Sequence, residues 1–120
     1  MSKRKYDDIC TPTESIFKRC RVTNEDGEKH EELHRTDGYE IQFCGRKIGL
    51  HKNDIGLWCA TDMKTGIRIN PYCYSERGYL INFLLRNIER YMELFSDEKK
   101  MMDLEVRFTV LMHELEGGKS

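Results

Sequence analysis

The stretch Tyr39-Glu40-Ile41-Gln42-Phe43-Cys44-Gly45-Arg46-Lys47-Ile48-Gly49-Leu50-His51 decides the fold class. Tyr39, Ile41 and Phe43 alternate with Glu40 and Gln42, the period of a strand with one buried face. Cys44-Gly45-Arg46 reads as a tight turn, and residues 47–51 as a second strand. Together they predict an antiparallel β-hairpin. Asn53 and Asp54 then mark another turn. Leu57-Trp58-Cys59-Ala60 is a short apolar segment expected to be buried, with Trp58 as an anchor. Lys64-Thr65-Gly66 is a further turn signal. Ile67-Arg68-Ile69 predicts a short strand, which Pro71 ends or confines to an edge.

Moving outward toward the C-terminus, Ser75 is a good N-cap for a helix beginning at Glu76. Leu80, Phe83, Leu84, Ile88, Tyr91, Met92 and Phe95 recur at helical spacing, interrupted only at Asn87. Arg77, Arg86, Glu89, Arg90 and Glu93 take the outer face. One long helix is therefore expected over about 76–95. For the last element, Leu104, Val106, Phe108, Val110 and Met112 alternate with Glu105, Arg107 and Thr109, which favours a strand over about 103–112. The alternative is a helix, because Met101, Leu104, Phe108, Leu111 and Leu115 also fit a heptad. Gly117-Gly118 releases the chain, so residues 117–120 are expected to be a flexible end.

Outward in the other direction, residues 1–37 are expected to be a disordered tail. Ile9, Ile16, Phe17, Val22 and Leu33 are the only large aliphatic or Phe residues there, each set among polar neighbours. Such a segment buries too little apolar area to offset a backbone ordering cost of about 1–2 kcal/mol per residue. The fold class is thus α+β: an N-terminal antiparallel sheet, one long helix and a C-terminal strand or helix, all within residues 38–116.

Composition narrows the function classes. The chain has 120 residues, enough for one domain. It has no apolar run near the roughly 20 residues that a membrane span needs. Lys3, Arg4 and Lys5 have no apolar segment behind them, so no secretory signal is expected. Five cysteines without CxxC spacing read as reduced thiols in a reducing compartment. The net charge of −1 hides segregation. Residues 1–22 balance at +3, residues 23–37 at −4, residues 38–95 at +2 and residues 96–120 at −2. A mildly basic domain permits nucleic-acid contact without demanding it.

Lys3-Arg4-Lys5 and Lys18-Arg19-Cys20-Arg21 are two basic clusters separated by twelve residues. That is the spacing of a bipartite nuclear import signal, with Lys3, Arg4, Lys5, Lys18, Arg19 and Arg21 as its cations. An import receptor is therefore an expected partner and the nucleus, with cytoplasm, the expected location. The competing reading is a solvated tail with scattered charge.

Gly56-Leu57-Trp58-Cys59-Ala60-Thr61-Asp62-Met63 is the most distinctive string. With Ile41, Gly45, Ile48 and Asp54 before it, this string resembles the start of KilA-N and Bro-N-type domains, small DNA-binding modules of large DNA viruses and phages. The likeness covers about residues 39–63, and less closely the chain to residue 95. Members of that group pass directly into a helix after the Asp, whereas Lys64–Ile69 prefers a turn and strand here. The resemblance implies a viral origin and contact with duplex DNA. Arg46, Lys47, Lys52, Lys64, Arg68 and Arg77 are then the candidate phosphate or base-edge contacts. Tyr72 and Tyr74 are candidates for base stacking.

Other chemistry has little support. His30 and His34 stand four apart, and Cys44, His51, Cys59 and Cys73 are scattered, without the close ligand pairs of a structural zinc site. No metal and no cofactor are expected. There is no phosphate-cradling glycine loop, nucleophile elbow or HExxH, so the chain reads as non-enzymatic. Cys59 with His51 is the one pair that could do nucleophilic chemistry. The reading is a small nuclear-acting regulatory protein with a nucleic-acid-binding domain. The alternative is a non-catalytic viral accessory protein, an adaptor that engages a host regulatory protein through a sheet edge or exposed helix.

Overall fold

A computed structural model describes residues 6–117. It shows the expected α+β class, with a four-stranded antiparallel sheet followed by three helices. The strands are β1 (Thr11–Thr23), β2 (Lys29–Phe43), β3 (Arg46–Lys52) and β4 (Trp58–Asp62), in the order β1-β2-β3-β4. The predicted hairpin is β2–β3. Phe43 pairs with Arg46 across a two-residue turn in which Cys44 and Gly45 both have positive φ, 53° and 75°. A turn of that kind matches the right-handed twist of the flanking strands.

The first 37 residues are not a disordered tail over the described part. β1 and the first half of β2 form a long hairpin, closed at Asn24–Glu28 by the Gly27 N–H on the Asn24 carbonyl. Asp26-Gly27 supplies the turn, with Gly27 at φ 87°. The hairpin's apolar support comes from elsewhere in the chain, which local periodicity cannot show. Ile16 is fully buried over β3, where a Cβ on Gly49 would lie within 2.9 Å of its side chain. Strands two places apart in a flat sheet lie about 10 Å apart. The sheet must therefore curl to bring β1 over β3. Beyond the β1 edge, the Arg19 N–H donates to the Gly66 carbonyl at 2.9 Å, which ties β1 to the loop after β4.

The predicted single helix is two: α1 (Arg77–Arg86) and α2 (Ile88–Ser96). The break falls at Asn87, whose side-chain amide donates to the Phe83 carbonyl at 2.9 Å. A short amide that bonds the carbonyl four residues back competes with the helix ladder and bends it. The break rotates Ile88 and Met92 to the surface, although the sequence placed both on the apolar face. Nor does Ser75 cap the helix: Glu76 holds the N-cap position, without a side-chain bond.

The last element is α3 (Glu98–Gly117), so the helical alternative holds and the strand over 103–112 is corrected. Asp97 caps it through its carboxylate on the Lys100 N–H at 3.1 Å. Met101 and Leu111 of the heptad are buried, while Val106 and Val110 of the supposed alternation face solvent. A capped helix with one apolar seam satisfies its own backbone, whereas a strand here would need a partner edge. The predicted strand 67–69 reduces to a single bridge between Thr61 and Arg68.

Two layers result. Leu80, Ile81, Leu84 and Tyr91 of α1 and α2 cover Ile41, Phe43, Ile48, Leu50 and Ala60 of the sheet. Tyr91 meets Phe43 edge-on at 5.5 Å and donates its hydroxyl to the Ile69 carbonyl at 2.6 Å. α3 packs against β2, and the Arg19 guanidinium donates to the Leu104 carbonyl at 3.2 Å.

Candidate nucleic-acid interface

The distinctive string forms the loop before β4 and β4 itself. Asn53 Oδ1 accepts from the N–H groups of Ile55 and Leu57, and Gly56 takes φ 83° at the tip. Thr61 is buried and its hydroxyl lies 2.7 Å from His51 Nε2. Asp62, 1% exposed, accepts from Arg46 Nε at 2.8 Å and Nη2 at 2.9 Å, and from the Thr65 hydroxyl at 2.6 Å. After Asp62 the chain turns through Gly66 (φ 73°) into the bridge at Arg68, and the next helix begins only at Arg77.

These contacts sort the six candidate cations. Arg46 is committed to Asp62, and its guanidinium lies 5.4 Å from the centroid of Phe95. Arg77 is paired with Asp7 and lies over the Tyr39 ring at 4.3 Å. Both are structural cations with little side-chain exposure. Lys47, Lys52, Lys64 and Arg68 remain exposed. Lys47 reaches Glu40 only at 4.0 Å, and Lys52 lies 5.5 Å from the Trp58 ring centroid. Arg68 and Lys18 both lie near enough to His51 to depress its pKa, although burial is the larger cause.

Of the import candidates, Lys3, Arg4 and Lys5 lie outside the described residues. Lys18, Arg19 and Arg21 stand in β1, with their backbone paired to His34, Leu33 and Glu31. They are not on a flexible segment. Arg19 in addition covers Gly66 and reaches α3.

Tyr39 and Trp58 form the feature that the sequence did not single out. Their rings lie 6.1 Å apart at a tilt of 41° and line an open cleft of about 780 Å³. Thr13, Ser15, Thr36 and Lys52 share its wall, together with the carboxylates of Glu14 and Asp37. Trp58 is partly buried: it packs against the core cluster, as an anchor would, and also lines the cleft. Tyr39 was visible as a strand residue, but nothing local showed that Trp58 would lie beside it. Tyr72 is exposed, and Tyr74 packs against Phe83 at 5.8 Å.

His51 and Cys59 are cross-strand partners in the β3–β4 register. The Cys59 sulfur, however, lies 2.9 Å from Cys73 Sγ, and His51 engages Thr61. His30 and His34 both approach the Glu32 carboxylate, at 3.2 and 2.8 Å. Among the described residues, no group of three or more His, Cys, Asp or Glu side chains is placed to hold a metal ion. No described helix is long and apolar enough to cross a membrane. No family model matches the chain, and neither do any curated protein or solved structure.

Proposed function

We propose that this is a small non-enzymatic regulatory protein, of viral type, that binds nucleic acid, duplex DNA in particular, and acts in the nucleus. The observation that carries the reading is the Tyr39–Trp58 pair in an open cleft with Lys52 on its wall. Aromatic faces beside a cation take up an unpaired base at a duplex end or an opened site, while exposed cations meet duplex phosphates. Lys47, Lys64 and Arg68 are exposed outside the cleft, on β3 and the loop after β4, as further cations for phosphate contact. The sequence likeness of residues 39–63 to KilA-N and Bro-N-type domains points the same way, with the departure that the chain after Asp62 turns and enters a helix only at Arg77. Import would rest on Lys3, Arg4 and Lys5, since the second cluster is folded into β1.

Trp58 is the sole tryptophan, so its emission reports on the cleft directly. Titration with a duplex, and separately with one of its strands, should change that emission and show salt-dependent affinity. Replacing Lys52, Lys64 and Arg68 together with Ala should flatten the salt dependence by about one unit of slope per lost phosphate contact. An unchanged emission and no salt-sensitive binding to either probe would overturn the reading.

One observation favours the adaptor alternative. Met102, Val106 and Val110 lie four residues apart on α3 and are 64%, 58% and 41% exposed. Exposed apolar residues at that spacing suit a protein partner in a groove. Proximity labelling in cells, with Val106→Glu and Val110→Glu against the natural chain, tests this alternative. Loss of specific labelled proteins with the fold intact would support it, and an identical labelling pattern would remove it.

A further inference from the structure

Trp58 and Tyr74 exchange both of their backbone hydrogen bonds, at 2.6 and 3.1 Å, across an isolated antiparallel bridge. Cys59 and Cys73 are the next residues along the two segments. They are thus directly opposite in a non-hydrogen-bonded pair, where Cα atoms approach to about 4.5 Å and side chains share one face. That separation falls within the range of about 4.4–6.8 Å that a disulfide spans. The two sulfurs already lie 2.9 Å apart, and both are free thiols. We propose that Cys59 and Cys73 are a reversible oxidation site, in which a hydroperoxide converts the pair to a disulfide that ties β4 to the segment before α1.

The two thiols differ in a way that assigns their roles. Cys73 is partly exposed and receives two donors, Asn53 Nδ2 at 3.6 Å and Arg68 Nη1 at 3.8 Å. Cys59 is buried, and burial together with the contact to Cys73 pushes its thiol up to about 11, so it keeps its proton. Cys73 is therefore the sulfur that meets the oxidant, and Cys59 the one that resolves it. In the first step the Cys73 sulfur attacks one peroxide oxygen. The O–O bond breaks, a sulfenic acid forms on Cys73, and the other oxygen leaves as water or an alcohol. In the second step the Cys59 sulfur attacks Cys73 Sγ. The S–O bond breaks, the S–S bond forms, and the sulfenic oxygen leaves as water with the Cys59 proton. Two electrons pass from the sulfurs to the peroxide. The 15-residue segment closed by the link carries Lys64 and Arg68.

The test treats the reduced full chain with hydrogen peroxide and maps its peptides without reduction. The expected result is a loss of two hydrogen masses, a peptide joining Cys59 to Cys73, and reversal by dithiothreitol. Cys10→Ser, Cys20→Ser and Cys44→Ser combined should retain the link at a similar rate. Cys59→Ser should instead trap sulfenic acid on Cys73, detected by a dimedone adduct. Links that involve Cys10, Cys20 or Cys44, direct passage of Cys73 to sulfinic acid in the natural chain, or no modification would each overturn the proposal. The readout is covalent and does not depend on nucleic-acid binding.

Discussion

At the scale of single residues, Arg46 shows how a charge read as a surface contact becomes a structural part. Its guanidinium makes two bonds to Asp62, which is almost fully buried. Arg46→Ala leaves that carboxylate buried without its cation, and should destabilise the fold by about 3–5 kcal/mol. Urea unfolding of Arg46→Ala beside Lys47→Ala checks this, with Lys47→Ala expected within about 0.5 kcal/mol of the natural chain. The sequence showed that both residues are cations at a turn. It could not show that one of them faces Asp62, sixteen residues away, because that depends on β3–β4 register. His51 gives a pH prediction. Burial lowers its pKa below the ordinary 6.5, and Lys18 and Arg68 act in the same direction. The unfolded chain therefore binds the proton first as pH falls. The contribution of neutral His51 to stability is fully present above about pH 6.5 and is lost as pH drops below it toward the folded value. Thermal melts at about pH 7.5 and 5.5 should show this loss, and His51→Gln should show a smaller one.

At the scale of elements, the seat of Ile16 on Gly49 is the contact that makes β1 a strand. Ile16→Ala should cost about 2–5 kcal/mol. Gly49→Val should also destabilise, because its Cβ would overlap the Ile16 side chain. Denaturant melts of both variants and of Gly49→Ala with Ile16→Val check this. The double variant should recover part of the loss. The β2–β3 hairpin was legible because its apolar alternation and its turn lie within a few residues. The β1–β2 hairpin was not, since its two buried anchors, Ile16 and Leu33, find their neighbours on β3 and α3. The helix break had a visible mark in Asn87, but whether such an amide faces solvent or the preceding turn is settled only by packing. In α3, alternation and heptad were both present in the letters. The Asp97 cap and the burial of Met101 and Leu111 along one seam selected the heptad.

At the scale of the whole molecule, the N-terminal hairpin and Tyr6 are locked to the helices. Arg19 of β1 donates to Leu104 of α3, Arg107 of α3 faces Glu31 of β2 at 3.5 Å, and Tyr6 reaches Asn82 of α1. Removing residues 1–37 should therefore abolish the cooperative melt and expose Trp58 to water, in contrast to the tolerance that a disordered tail would give. Thermal scans and emission spectra of the 38–120 fragment beside the full chain test this. A cooperative melt near that of the full chain would refute it. The described residues extend 50 × 33 × 24 Å, and a strand of the length of β2 spans about 50 Å. The candidate site was legible only as exposed lysines. The cleft that organises them needs Tyr39 and Trp58 from different strands and Thr13 from a strand that the sequence did not reveal. The lock between Arg19 and Leu104 also sets an order of events during synthesis. The first hairpin leaves the ribosome with Ile16 and Leu33 uncovered, and α3 is the last element to follow. Until then the nascent chain presents an open edge and an apolar face together, the combination that chaperones hold and that pairs wrongly with a neighbouring copy.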